Sequence, residues 1–289
     1  MSKLSEPLKQ FINAAHAKPH TIPAPRNVVS IYERIASDAA TKKVGLPAWL
    51  CASTAATFTM NSPDSLLELY RLATASSTKK ADVYAAELMR EVGLKCIGFN
   101  GVPRTINCLG AFYGGLPSEV QSALKERKAR RALNKSNIED TVARGNSLWD
   151  SVYHPFSDKL TAKLAQSHPD LPVFIINAEY GALFSDPPTP KDPNRPDIGR
   201  VLTSIIAVAC LRAQSGVGPQ VVSHVFGLRK AFDDGSAESE EEIPGGKWLA
   251  SNEGSLWLLE QVDSIVHALG GGQGTTFAPG FDKAPKAKL

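Results

Sequence analysis

Apolar residues recur at three- and four-residue intervals along most of this chain, and the alternation expected of a strand is nowhere sustained. Pro63-Asp64 opens one such segment, with Leu66, Leu67, Leu69 and Tyr70. Another runs through Val83, Leu88 and Val92. Beyond the basic run Lys125 to Arg131, a helical segment leads through Ile138 to Trp149. The pattern continues through Leu160, Leu164 and Leu171 to Phe184. The closing segment places Leu258, Val262, Ile265 and Leu269 on one face, as an amphipathic helix requires. The expected fold is all-α.

Two stretches interrupt the periodicity. Asp186 to Asp197 contains five prolines, which fix φ and remove amide donors, so a loop is expected there. Gly235 to Glu242 is acidic and lacks the ligand spacing of a calcium loop, so it reads as a solvated connection. The longest apolar run, Val201 to Leu211, is well short of the ~20 residues that a membrane span needs.

A weak internal repeat is visible. Cys96 to Phe112 and Cys210 to Leu228 each read as an apolar helix, a Gly-Val turn, a proline in the next first turn and a second helix. Matching the prolines sets Cys108 against His224, while matching N-x-x-G to H-x-x-G sets Asn107 there. Tandem helical hairpins are expected, the first degenerate. The chain divides into an N-terminal extension (1–27), a first repeat (28–140), a second repeat (141–270) and a flexible tail (271–289).

Composition narrows the function classes. The chain is 43% apolar and 21% charged with a formal charge of +3, so neither disorder nor a nucleic-acid surface is indicated. The four cysteines, Cys51, Cys96, Cys108 and Cys210, form no C-x-x-C pair, which disfavours a disulfide framework or zinc site. Phosphate-binding, zinc-protease, nucleophile-elbow and dinucleotide motifs are absent. No metal and no cofactor is expected.

The sharpest local signal is terminal. Ala287-Lys288-Leu289 is a conservative variant of the S-K-L tripeptide read by the peroxisomal import receptor. Lys283 and Lys286 lie just upstream, and the glycine-rich stretch from Gly270 reads as a tether. The expected location is the peroxisome matrix.

For chemistry, the second hairpin stands out. Val217, Val221, Val225, Leu228 and Phe232 form an apolar stripe, and His224 sits at its edge. A partly buried imidazole there could have its pKa tuned for proton transfer, or be an ordinary core histidine bonded to a carbonyl. Trp149-Asp-Ser-Val-Tyr-His, then Asn177 to Ser185, Arg200 to Cys210, and His224 to Phe232 together resemble the carboxymuconolactone decarboxylase and alkylhydroperoxidase-D superfamily. The resemblance covers about residues 145–270 and is nearest to fungal peroxisomal members. It implies an alkylhydroperoxidase-D-like helical fold and an oligomer.

The departures from that pattern matter. The alkylhydroperoxidase-D branch carries E-x(11)-C-x-x-C-x-x-x-H, and counting back from His224 the thiol positions hold Val217 and Gln220, the glutamate position Ile205. Vicinal-thiol peroxide reduction is therefore not expected. The decarboxylase branch lacks the thiols and retains the histidine, and there a base with nearby cations handles a small carboxylate or lactone by proton transfer. By that resemblance His224 is the candidate acid/base and Tyr180 the hydrogen-bond donor. Arg200 is the candidate substrate-carboxylate anchor, with Arg104 a further anion contact. Cys210 and Cys108 are candidate lone reactive thiols. Three functions are weighed: proton-transfer or decarboxylase-type chemistry on a small carboxylate or lactone, a lone-cysteine antioxidant oxidoreductase, and a non-catalytic binding or assembly protein on the same fold.

Overall fold

A computed structural model describes residues 4–14, 21–75, 78–188 and 195–272 of the chain. The tail tripeptide Ala287-Lys288-Leu289 and the centre of the proline-rich loop lie outside the described residues. The fold is all-helical, with no strand among those residues. In chain order the α-helices are α1 (Glu6–Ile12), α2 (Val28–Thr41), α3 (Leu46–Thr59), α4 (Pro63–Thr74), α5 (Lys79–Lys95), α6 (Ile97–Asn100), α7 (Val102–Gly115) and α8 (Ser118–Lys125). They continue as α9 (Ile138–Tyr153), α10 (Ser157–Ser167), α11 (Asp170–Phe174), α12 (Gly199–Gln214), α13 (Gly218–Asp233), α14 (Gly246–Leu249) and α15 (Asn252–Leu269). A π-helical segment, Ile175–Phe184, extends α11.

Two helices have no solvent face. α12 buries 14 of its 16 residues and α3 buries 12 of its 14, so these two pack together at the centre and the amphipathic helices cover them. A helix so enclosed must satisfy its polar groups internally. In α3, Thr57 and Thr59 donate to the carbonyls of Ser53 and Ala55, and Tyr32 of α2 hydrogen-bonds Thr57 at 2.7 Å. The main core draws on residues from Val28 to Leu124 and again from Ile198 to Leu269. A smaller cluster, Trp149, Val152, Ile176, Tyr180 and Phe184, holds α9 against the π-helical segment.

The expected hairpin turns are present. Gly101, at φ +79°, separates α6 from α7, and Ser215 and Gly216, at φ +64° and +74°, separate α12 from α13. Pro103 and Pro219 lie in the first turns of α7 and α13. Cys96 and Cys210, which occupy matching places in the two sequence segments, bring their Sγ atoms to 3.6 Å. The acidic run departs from expectation. Part of it is not a solvated connection: the Glu240 carboxylate accepts from the Arg200 amide at 2.6 Å, and Asp186 accepts from the Gly199 amide at 2.6 Å. Two orphan amides at the buried start of α12 are capped in this way.

α9 and the π-helical segment meet backbone to backbone. A Cβ on Gly145 would overlap the Ile176 carbonyl oxygen and lie 2.9 Å from Gly181 Cα. Gly145→Ala should therefore force the pair apart and destabilise the fold by about 3 kcal/mol, measured by urea unfolding. An unchanged midpoint would show that this crossing is looser than described.

Candidate functional site

The side chain of His224 projects from α13 into a ring of aromatic groups where α13 meets α9. It is 8% exposed, deeper than the valines of its own stripe, because it fills the gap between Phe99 and Tyr153. Its Nε2 lies 3.4 Å from the Tyr153 hydroxyl, which lies 3.0 Å from the Tyr180 hydroxyl. Tyr153 ends α9, and Tyr180 sits mid-way along the π-helical segment, where the i→i+5 pattern continues as Ser185 N bonds Tyr180 O at 3.0 Å. π-helical geometry is concentrated at functional sites. Trp149, one turn before Tyr153, packs on both tyrosines, and Phe99 and Phe184 stack at 5.0 Å.

This dry surround sets the protonation states. Burial, aided by the positive charge of Arg200, pushes the His224 pKa down to about 4, so the imidazole is neutral at physiological pH. Burial likewise raises the Tyr180 and Tyr153 hydroxyls above the ordinary tyrosine value, so both keep their protons. Neighbouring Glu179 is raised by burial, and its Oε2 is buried without a hydrogen-bond partner.

Arg200 is 5% exposed. Four of its five N–H groups are used within the protein. Nε donates to Ser151 Oγ at 2.8 Å, Nη1 donates to Ser204 Oγ, and Nη2 donates to the carbonyls of Ser151 (3.1 Å) and Gly227 (2.7 Å). It ties α12 to α9 and α13, and burial lowers its pKa while Asp234 opposes that shift. Its direct geometric role is therefore to clamp three helices, and its charge adds to the burial that keeps His224 neutral.

The remaining candidates lie elsewhere. Arg104 and Cys108 share the first hairpin: Arg104 Nη1 donates to the Thr59 carbonyl at 2.6 Å, and Cys108 Sγ lies 3.7 Å from Asn61 Oδ1. Burial pushes the Cys108 thiol up to about 12, which suppresses its thiolate. Cys210 is fully buried against Cys96 and the Ala55 carbonyl. Among the described residues no group of His, Cys, Asp or Glu could hold a metal ion, and no helix is long and apolar enough to cross a membrane.

With this geometry in hand, one comparison bears on the chain. It is similar to Peroxisomal protein 2 of Saccharomyces cerevisiae. The two are 28% identical over 156 residues, covering 48% of this chain and 52% of the yeast protein. The chain thus spans about half the length of that relative. No protein-family model matches the chain, and no solved structure matches it.

Tyr153, Trp149 and Phe99 were not singled out as site residues by sequence reasoning. Tyr153 lies within the Trp149 to His154 stretch quoted for the family resemblance, and its spacing of four from Trp149 on one helix face was the available signal. Phe99 comes from the first half of the chain, and nothing local points it towards His224.

The burial of His224 has a measurable consequence. Its folded-state pKa of about 4 lies below the ~6.5 of an unfolded histidine. Its contribution to stability is therefore fully present above pH 6.5 and lost as pH falls through 4, a change of roughly 3 kcal/mol. Urea unfolding of His224→Gln should show that much less loss between pH 7 and 4 than the natural chain. Equal losses would mean that the ring is solvated.

Proposed function

We propose that this chain is a peroxisomal matrix protein of the carboxymuconolactone decarboxylase-like group, delivered by the import receptor through Ala287-Lys288-Leu289. We further propose that His224, Tyr153 and Tyr180 form its reactive centre. The observation that carries the second part is a chain of three polar groups, with buried His224 and Tyr180 on either side of the half-buried Tyr153. Two hydroxyls and an imidazole, linked at 3.0 and 3.4 Å inside an aromatic surround, are costly to bury and are not needed for packing alone. The yeast relative's printed name and the tail tripeptide both support the address.

The arrangement suits proton transfer on a small lactone or carbonyl compound. A neutral Nε2 accepts a proton from carbon, and a protonated tyrosine donates to the carbonyl oxygen as charge develops there. A substrate carboxylate, where present, finds only one Arg200 N–H still unbonded, so an uncharged lactone is the better guest. Lone-cysteine peroxide chemistry is disfavoured by the full burial of Cys210 and the raised pKa of Cys108.

A second reading, a non-catalytic assembly protein, is favoured by closure: Tyr180 is 5% exposed, and neither described cavity is lined by it or by His224. In either reading the chain self-associates, and exposed Val102 and Ile106 of α7 and Val222 and Phe226 of α13 are the apolar surface proposed for it.

One experiment addresses both parts. Full-length protein is assayed against a panel of small lactones and keto acids, and a fluorescent fusion is followed with and without its last three residues. Turnover should fall at least ~100-fold in His224→Gln and Tyr180→Phe, and the truncated fusion should be diffuse. Turnover unchanged by both substitutions, or absent across the panel, would contradict the reactive centre and leave the assembly reading. Continued organelle targeting would contradict the address.

A further inference from the structure

Cys51, Cys96, Cys108 and Cys210 come from four places in the fold, α3, the α5–α6 junction, α7 and α12, and all four are free and buried. The fold gathers them. Burial raises the Cys96 pKa most, and the other three thiols lie near enough to add to that shift. Cys96 Sγ and Cys210 Sγ are in contact at 3.6 Å, across 114 residues of sequence. Cys108 Sγ instead faces Asn61 Oδ1 at 3.7 Å. A disulfide holds its sulfurs about 2.05 Å apart, so closing the Cys96–Cys210 pair takes a movement of about 1.5 Å.

The two partners differ in how far they can move. Cys210 lies in α12, which buries 14 of its 16 residues. Cys96 lies where α5 ends and the four-residue α6 begins, and beyond α6 the chain turns at Gly101, at φ +79°. Residues at the ends of elements absorb small rearrangements, so the movement falls on Cys96. The same segment is already tied to α12 one turn after Cys210, where Gln214 Nε2 donates to the Phe99 carbonyl. A disulfide three residues before Phe99 makes that attachment covalent. Phe99 in turn stands against His224, with 6.2 Å between the ring centroids.

We propose that Cys96 and Cys210 form a reversible disulfide on exposure to a hydroperoxide, locking the α5–α6 junction to α12. One sulfur attacks a peroxide oxygen and the O–O bond breaks, giving a sulfenic acid and releasing an alcohol or water. The second sulfur then displaces the hydroxyl from the first, so that the S–S bond forms and water leaves. The two thiols give up two electrons to one hydroperoxide, and their protons leave with the alcohol and the water. Both side chains are closed to solvent, so the step waits on local opening and occurs once per chain, not as turnover. The lock does not depend on what the His224 centre does.

The test starts from reduced full-length chain incubated with hydrogen peroxide, then unfolded with an alkylating reagent and mapped by mass spectrometry. The natural chain should lose two of its four alkylatable thiols and yield one linked peptide pair, Cys96 with Cys210. Its thermal midpoint should rise by about 5 °C or more, because the bond closes a long loop. A dithiol reductant should reverse that rise. Cys96→Ala and Cys210→Ala, treated in the same way, should give no such pair and no rise. The peptide map of the natural chain decides the matter even where a variant fails to fold. Four thiols still alkylated, sulfur oxidised without a linked pair, a link between any other two cysteines, or a midpoint unmoved by the bond would overturn the proposal.

Discussion

The whole arrangement depends on enclosing α12. A helix with no solvent face cannot leave its polar groups to water, so its first turn has to be capped by side chains brought from elsewhere in the chain. Asp186 and Glu240 cap the amides of Gly199 and Arg200, drawing in the ends of two loops. The Arg200 guanidinium then bonds α9 and α13 to the same turn. Those bonds set the angle at which α13 approaches α9, and so bring His224 to Tyr153. The same positive charge, in a dry setting, helps to keep the imidazole neutral.

Much of the fold was legible because helical periodicity is local. The spacing of Leu258, Val262, Ile265 and Leu269 marks a buried face wherever the helix docks, and all four are buried in α15. The Gly-Val turns and their prolines were legible for the same reason, and the inward turn of His224 followed from its neighbours. What sequence could not supply was long-range pairing. Nothing near Arg200 in the sequence points to Ser151 and Gly227, 49 and 27 residues away, which bond its guanidinium. Glu240 reads as part of a solvated run until it meets the Arg200 amide, 40 residues away. The π-helical register at Ile175–Phe184 has no local signature beyond an apolar segment with a glycine, and its fit depends on Gly145 across the interface.

One helical hairpin presents two contrasting environments. At the C-terminal end of α9 lies a dry, uncharged group of hydroxyls and an imidazole; near its N-terminal end lies a cavity lined by Arg130, Arg131 and Arg144. Low dielectric drives the first towards neutrality, while beside the second Arg130 and Arg131 pair with Glu91, Asp186 and Asp197. Lys95 stands between these regimes: wholly buried, it donates to the Phe184 carbonyl at the end of the π-helical segment and pairs with Asp186. It thereby fixes the segment that carries Tyr180 to α5.

The central claim is that His224 is held neutral and hydrogen-bonded to Tyr153 within a closed aromatic surround. Nitrogen NMR of histidine-labelled protein reads this directly, as ring-nitrogen shifts followed against pH. The account predicts a neutral imidazole down to about pH 4. A ring that titrates near 6.5, the ordinary solvated value, would contradict it.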